Sequence, residues 1–421
     1  MNFFTYYKGS LYAENVSIKN IAHTVQTPFY CYSTATIKEK YLIFSNALKN
    51  MDTMICYALK ANSNQAVIKT LVQLGAGLDI VSEGELQRAL NASSPADRIV
   101  FSGVGKTTAE MDLALNAGIY CFNVESESEL ITLNQRAVSL GKKASIALRV
   151  NPDINSNTHR KISTGKKDDK FGIPINQIHH LYDYAKNLPG IKISGIDMHI
   201  GSQIDQIESF CKSFKLLRDL TKQLRSTGHN IQHIDVGGGL GISYNSNYCT
   251  PSPYDYSSII QQYLGDLNCK IILEPGRFLV ADSGILVTKV ISIKNNADKN
   301  FIILDVAMND FMRPTLYDAY HEIKHIVNPE EGRLHIKADM VGPICETGDF
   351  VALNRTIALP KPGDLLYIEK TGAYGAVQSG TYNSRLLIPE VMVKDSQFHI
   401  IRPRMNYKEL IERDSIPKWL E

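Results

Sequence analysis

Neither sign of charge dominates this chain: 45 Lys and Arg residues stand against 43 Asp and Glu, a formal net charge of +2. It therefore lacks the basic field that draws in nucleic acid or an anionic membrane surface, and neither is expected as a partner. Its seven cysteines are an odd number with no CxxC pair or other ligand spacing. That argues against a disulfide framework and for reduced thiols in a cytoplasm. No apolar run approaches the length of a membrane span. The opening MNFFTYYKGSLYAEN has neither a charged start nor an uninterrupted apolar core, so it does not read as a signal peptide. Neither GxGxxG nor GxxxxGK[ST] occurs, which leaves dinucleotide and P-loop readings with little support. What remains is ordinary globular material, 421 residues with 44% hydrophobic and 21% charged, long enough for two domains. A soluble cytoplasmic protein is expected.

Between residues 35 and 270 short apolar runs alternate with longer amphipathic stretches. The short runs are MICYALK, GLDIVS, RIVFSGV, CFNVES, SIALRVN, ISGIDMHIGS, IQHIDVGGG and KIILEPGR. Helical patterns such as SNQAVIKTLVQLGAG and TTAEMDLALNAG separate them, several closing on the glycine expected just past a helix end. Eight strands separated by helices predict an α/β fold, a closed (β/α)8 barrel of the TIM type, with an open doubly wound sheet as the rival. From about residue 275 the texture changes to β-type runs broken by Gly, Pro, Asn and Asp, among them GILVTKVISIKN, NFIILDV and PEVMVKD. The predicted organisation is a barrel over 25–274 and a mostly β domain over 275–421, with residues 1–24 pairing into the latter.

Barrel enzymes carry their chemistry at the C-terminal ends of the strands. Those ends are Lys60, Asp79, Ser102, Glu125, Arg149, His199 with Ser202, the run Gly237, Gly238, Gly239, and Glu274 with Gly276 and Arg277. Lys60 leaves an apolar run, where it either snorkels to solvent or stands as a desolvated amine able to condense with an aldehyde. The GGGLG turn lets backbone N–H groups approach an anion where barrels commonly hold a phosphate, although it also suits a tight structural turn. An amine, a phosphate cradle and a carboxylate on one rim suggest pyridoxal 5′-phosphate as cofactor: the aldehyde for Lys60, the phosphate for the glycines, the ring nitrogen for Glu274.

The motifs YALKANSN, HIGSQ, DVGGGLG, EPGR, MRPTLYDAYHEI, GPICETGD and GAYGAVQSGTYNSR, in this order along essentially the whole chain, resemble those of the diaminopimelate decarboxylases, in the alanine-racemase-like, fold type III group of pyridoxal phosphate enzymes. The resemblance implies that Lys60 carries the cofactor and His199 stacks on its ring. Ser202, Gly239, Gly276, Arg277 and Tyr374 would surround the phosphate. Arg277, Arg313, Tyr317, Glu346 and Tyr374 would contact substrate, and Cys345 would protonate the product carbanion. It further implies a homodimer with shared active sites, the Cys345 to Glu346 segment reaching the other subunit's cofactor and the β domain completing the site.

The chemistry of the residues agrees. A carboxylate such as Glu274 against the pyridine nitrogen keeps it protonated and the ring electron-withdrawing, which favours decarboxylation; a racemase of the same fold uses arginine there. Meso-diaminopimelate has an amino acid at both ends, so its site needs cations for carboxylates, as Arg277 and Arg313 offer, and an anion for the distal ammonium, as Glu346 offers. A precursor of the ornithine type has no distal carboxylate and would leave an arginine unpaired. A lysine-forming decarboxylase is the expected activity, with a relative acting on another basic amino acid as the alternative. Two rivals come from other classes. HEIKH, residues 321–325, fits the zinc-peptidase motif HExxH, with Glu346 following His325 by 21 residues. It needs a continuous helix, however, and Pro329 leaves little room for one. The other rival is an inactive relative that regulates a partner, against which the joint presence of Lys60, Glu274 and Cys345 speaks.

Overall fold

The computed structural model describes residues 3–154, 159–162, 164–245, 249–296 and 298–420. Eight parallel strands close on themselves: β1 (Thr53–Ala58), β2 (Gly77–Ile80), β3 (Ile99–Phe101), β4 (Cys121–Val124), β5 (Ala144–Asn151), β6 (Ile191–Asp197), β7 (His233–Asp235) and β8 (Lys270–Leu273). The pairing runs in sequence order, and β8 returns to β1 through Ile271↔Thr53 and Leu273↔Ile55. The expected barrel is therefore observed, and the open sheet is excluded. The strands are buried almost throughout, as parallel strands covered by helices must be. The intervening helices start where the chain supplies caps. Ser82 and Ser126 each accept from the N–H three residues on. Thr107 and Glu110 form a reciprocal capping box, and the helix they open, Thr108–Ala117, ends on Gly118 in the left-handed region at φ 72°.

The second unit is built on a mostly antiparallel sheet whose spine is the long strand Gly284–Asn296. One part of that strand pairs with Phe29–Ser33 and with Leu365–Ile368, and its far end pairs with Lys299–Leu304. The domain boundaries differ from expectation, because contacts divide the chain into 38–279 and into 1–37 with 280–421. Residues 25–37 belong with the β unit since Phe29–Ser33 is a central strand there, buried at all five positions and flanked by Gly284–Asn296 and Glu390–Lys394. Residues 275–279 stay with the barrel. The N-terminal segment joins the β unit as a small sheet of its own, Phe4–Tyr7, Ser10–Ala13 and Val16–Ser17, tied on by the bridge Ser10↔Val327 and sharing its hydrophobic core.

HEIKH is extended, not helical: Ile323–His325 is a strand, and the two imidazoles bond elsewhere, His321 to the Glu369 carbonyl and Arg313, His325 to the Ala358 carbonyl. The geometry a zinc-peptidase helix requires is absent. Among the described residues no helix is long and apolar enough to cross a membrane.

Candidate active site

The barrel brings most of the expected residues to one rim. Lys60 leaves β1 in a one-turn helix, Leu59–Ala61, and its Nζ lies 2.5 Å from Oδ2 of Asp79 on β2. The side chain is 36% exposed and paired with a carboxylate that is 0% exposed. Asp79 Oδ1 is buried without a hydrogen-bond partner. Beyond β4, Glu125 takes Arg149 Nη1 at 2.8 Å and the N–H groups of Gly103 and Gly172, which ties three loops together. Arg149 also faces Asp197 at 3.9 Å.

Past β6 the chain turns through His199 to Ser202. The Gly238 N–H donates to His199 Nδ1 at 3.0 Å, so the ring's proton sits on Nε2. Burial, helped by Arg149 and Lys60, holds this imidazole well below its usual range, so it is neutral. Ser202 Oγ and the Tyr244 hydroxyl accept from Arg277 Nη2 and Nη1, each at 2.9 Å. Arg277 itself is buried just beyond β8, at the start of the short helix Arg277–Val280.

Glycine is required in the turn after β7. Gly237 and Gly239 have φ of 64° and 99°. A Cβ on Gly237 would lie 2.6 Å from His199 Nδ1, one on Gly238 2.3 Å from the Glu274 carbonyl oxygen, and one on Gly239 2.5 Å from the Gly201 carbonyl oxygen. Gly276 is packed similarly, 3.0 Å from the Ala61 Cβ. Gly238→Ala is therefore expected to cost about 1–3 kcal/mol of stability by overpacking and to loosen cofactor binding. Thermal melting and the pyridoxal absorbance retained after dialysis read both effects, and an unchanged protein by both measures contradicts this account of the turn.

Glu274, just after β8, is buried, with Oε1 accepting from Ser102 Oγ at 3.1 Å and Asn123 Nδ2 at 3.2 Å. Burial first, then Asp235 and Asp79, push its carboxyl well above the usual range, while Lys60 and Arg149 pull it down. Asp235 and Asp197 are raised for the same reasons. More carboxylates than cations thus act on one another at this end of the barrel. Pyridoxal phosphate fits these residues: a cationic ring nitrogen suits the carboxylate excess, a phosphate suits the glycine turn, and an aldehyde suits the Lys60 amine.

Asn123, Asp197, Asp235 and Glu85 are absent from the sequence-derived site. The first three precede Glu125, His199 and Gly237 by two residues, so the period of two along a strand places them on the same inward face. Glu85 lies in the helix Glu83–Asn91, accepts the Val81 N–H at 2.8 Å, and is pushed by burial to about 7, against the pull of Lys60.

The β unit gathers the second set. Arg313 opens the short helix Arg313–Tyr317, buried, with Nε donating to His321 Nε2 at 3.2 Å. The Tyr317 hydroxyl accepts from Gln378 Nε2 at 3.1 Å. Thr315 Oγ1 donates to the Gly348 carbonyl at 2.8 Å, which ties this helix to the loop carrying Cys345 and Glu346. Asp349 closes that loop by accepting the Ile344 and Met308 N–H groups, each at 2.7 Å. Cys345 is exposed, its N–H donating to Asn383 Oδ1 at 2.9 Å, and Glu346 is exposed beside the Tyr382 hydroxyl, which it holds above its usual range by a hydrogen bond. Tyr374 is half-buried with φ 55°, in the left-handed region.

Comparison with known proteins bears on this arrangement directly. Residues 34–281 match the family described as pyridoxal-dependent decarboxylase, pyridoxal binding domain. The diaminopimelate decarboxylase of Zymomonas mobilis is 43% identical over 421 residues, covering 99% of this chain and 99% of its own. Among solved structures, the diaminopimelate decarboxylase of Helicobacter pylori complexed with L-lysine superposes with a TM-score of 0.90 at 41% identity, covering 94% of this chain and 98% of its own. That of M. jannaschii in co-complex with L-lysine gives a TM-score of 0.95 at 33% identity, covering 100% and 99%.

Proposed function

The chain belongs to the diaminopimelate decarboxylases, a branch of the pyridoxal-dependent decarboxylase family, and from that premise we propose that it removes CO2 from the D-centre of meso-diaminopimelate to leave L-lysine, the last step of lysine biosynthesis. The observation that carries this reading is the barrel rim, where an amine, a neutral imidazole, a glycine turn and a buried carboxylate converge at the ends of β1, β6, β7 and β8. Pyridoxal phosphate, when bound, supplies an aldehyde for amines and a ring that takes up the electron pair CO2 leaves behind.

The protein's own groups supply the rest. Lys60 presents the amine, and Asp79 Oδ2 orients it and balances its charge. The glycine turn, with Ser202, Gly276, Arg277 and Tyr374, would hold the phosphate dianion. His199, being neutral, would lie against the ring without opposing its positive charge. Glu274 would accept a hydrogen bond from the protonated ring nitrogen and keep that proton in place. Arg277, Arg313, Tyr317 and Tyr374 hold substrate carboxylates, and Glu346 pairs with the far ammonium. The Cys345 thiol delivers a proton to the carbon that CO2 has left. A cytoplasmic homodimer, with Cys345 and Glu346 entering the neighbour's site, belongs to the same proposal and is supported by the exposure of both residues.

Release of CO2 from a panel of amino acids tests the reading. Meso-diaminopimelate is expected to react, the LL-isomer not at all because it has no D-centre, and ornithine and arginine about 100-fold more slowly or worse, since they leave an arginine unpaired. Comparable turnover of ornithine would replace this assignment with a decarboxylase of another basic amino acid.

A further inference from the structure

Asn123 is buried on β4, and its Nδ2 lies 3.2 Å from Glu274 Oε1, 3.2 Å from Asp235 Oδ2 and 3.1 Å from Ser102 Oγ. Two carboxylate oxygens on one side of the amide identify that side as the NH2 end, because only a donor satisfies both. Ser102, just after β3, accepts from Asn123 and donates its own O–H to the same Glu274 Oε1 at 3.1 Å. All four side chains are buried. The backbone behind them is pinned too: the Lys106 ammonium, 1% exposed, donates to the Asn123 and Gly103 carbonyls and to Glu129, at 2.8, 2.7 and 2.8 Å. Two buried donors, the Ser102 hydroxyl and the Asn123 amide, thus converge on one oxygen of one carboxylate.

We propose that Asn123 and Ser102 are positioning residues that hold Glu274 ionised and leave its second oxygen as the acceptor for the cofactor's ring nitrogen. A buried carboxyl surrounded by acids tends to keep a proton. Asp235, Asp79 and Asp197 face Glu274 from β7, β2 and β6, and Cys56 and Tyr256 from β1 and the helix Pro253–Leu264; Lys60 and Arg149 oppose them. Hydrogen bonds donated to a carboxylate favour its charged form. With Oε1 occupied by a hydroxyl and an amide, neither of which can take its charge away, the proton shared between Glu274 and the ring nitrogen rests on the nitrogen. Without those donors it moves to the carboxyl, and the ring loses electron-withdrawing power.

The inference rests on Glu274 facing the ring nitrogen, and the experiment separates the two. Holoenzyme is reconstituted with pyridoxal phosphate labelled with 15N in the ring, and the signal, which distinguishes pyridinium from pyridine, is recorded at pH 7 beside steady-state kinetics. Wild type is expected to show pyridinium. Asn123→Leu and Ser102→Ala are each expected to move the signal toward pyridine and to lower kcat about 10- to 100-fold, with KM changed less than about threefold. Ser102→Thr, which keeps the hydroxyl, should restore the wild-type signal. A purely structural role would lower the melting temperature and leave the signal at pyridinium, and that result overturns the proposal. Should Asn123→Leu fail to fold, Ser102→Ala decides alone. Glu274→Gln checks the premise: an unmoved signal there refutes the contact with the ring, whereas a signal moved by Glu274→Gln but by neither Asn123→Leu nor Ser102→Ala refutes the positioning role alone.

Discussion

Chains carrying Lys60→Ala, mixed in equal amounts with chains carrying Cys345→Ala, are expected to recover about a quarter of wild-type activity although each is nearly inactive alone. Random pairing makes half of the dimers mixed, and each mixed dimer has one of its two sites intact if Lys60 of one subunit works with Cys345 of the other. The structure gives reasons to expect this. Lys60 is fixed to the barrel by Asp79, so its amine cannot range far. Cys345 is exposed on a loop that is nevertheless braced, by Asn383 at its N–H, by Asp349 across the loop and by Thr315 beneath it. A stiff loop that displays a thiol outward suits delivery of that thiol to a neighbour. Subunit exchange has to be demonstrated independently, by co-purifying differently tagged chains. Mixed dimers that form but stay inactive mean that each chain builds its own site, and the shared-site proposal falls.

The eight barrel strands are legible in the sequence because a parallel strand covered on both faces is a short apolar run, and such runs recur with helical patterns between them. Strand ends are legible for the same reason: polarity has to begin where the run stops, and so Lys60, His199 and Glu274 stand out. What the sequence hides is whatever depends on distant pairing. Phe29–Ser33 is as apolar as any barrel strand, yet it pairs with segments more than 250 residues away, Gly284–Asn296 and Glu390–Lys394, and nothing local says so. Asn123, Asp197 and Asp235 come two residues before Glu125, His199 and Gly237 and read as parts of apolar runs, although Asn123 and the two aspartates all interact with Glu274. The state of Lys60 is hidden as well. Its ion pair with Asp79 joins adjacent strands, 19 residues apart in sequence, and only the barrel's register brings them together.

Glu346→Gln is expected to cut kcat/KM for meso-diaminopimelate by about thirty- to a thousand-fold while pyridoxal phosphate stays bound. Glu346 is proposed to pair with the ammonium at the far end of the substrate. In the proposed dimer a partner subunit covers that contact, so losing the carboxylate would strand a desolvated cation, a far larger penalty than losing an exposed ion pair. Gln keeps the shape and removes the charge, so the loop held by Asp349 should be undisturbed. Cofactor retention should not change, because Lys60, His199, the glycine turn and Glu274 all lie on the barrel, and the bonds that place them run to Asp79, Gly238, Asp235, Ser102 and Asn123. Arg313→Ala should do comparable damage by leaving a substrate carboxylate without its cation, and its own anchor, His321, marks it as a placed guanidinium. The contrast between substrates sharpens the test: weak turnover of ornithine should suffer much less from Arg313→Ala, since ornithine has no distal carboxylate to strand. If Glu346→Gln keeps near-normal kcat/KM but loses pyridoxal phosphate, Glu346 supports the cofactor and not the substrate's far end, and the charge-pairing account of substrate choice is wrong.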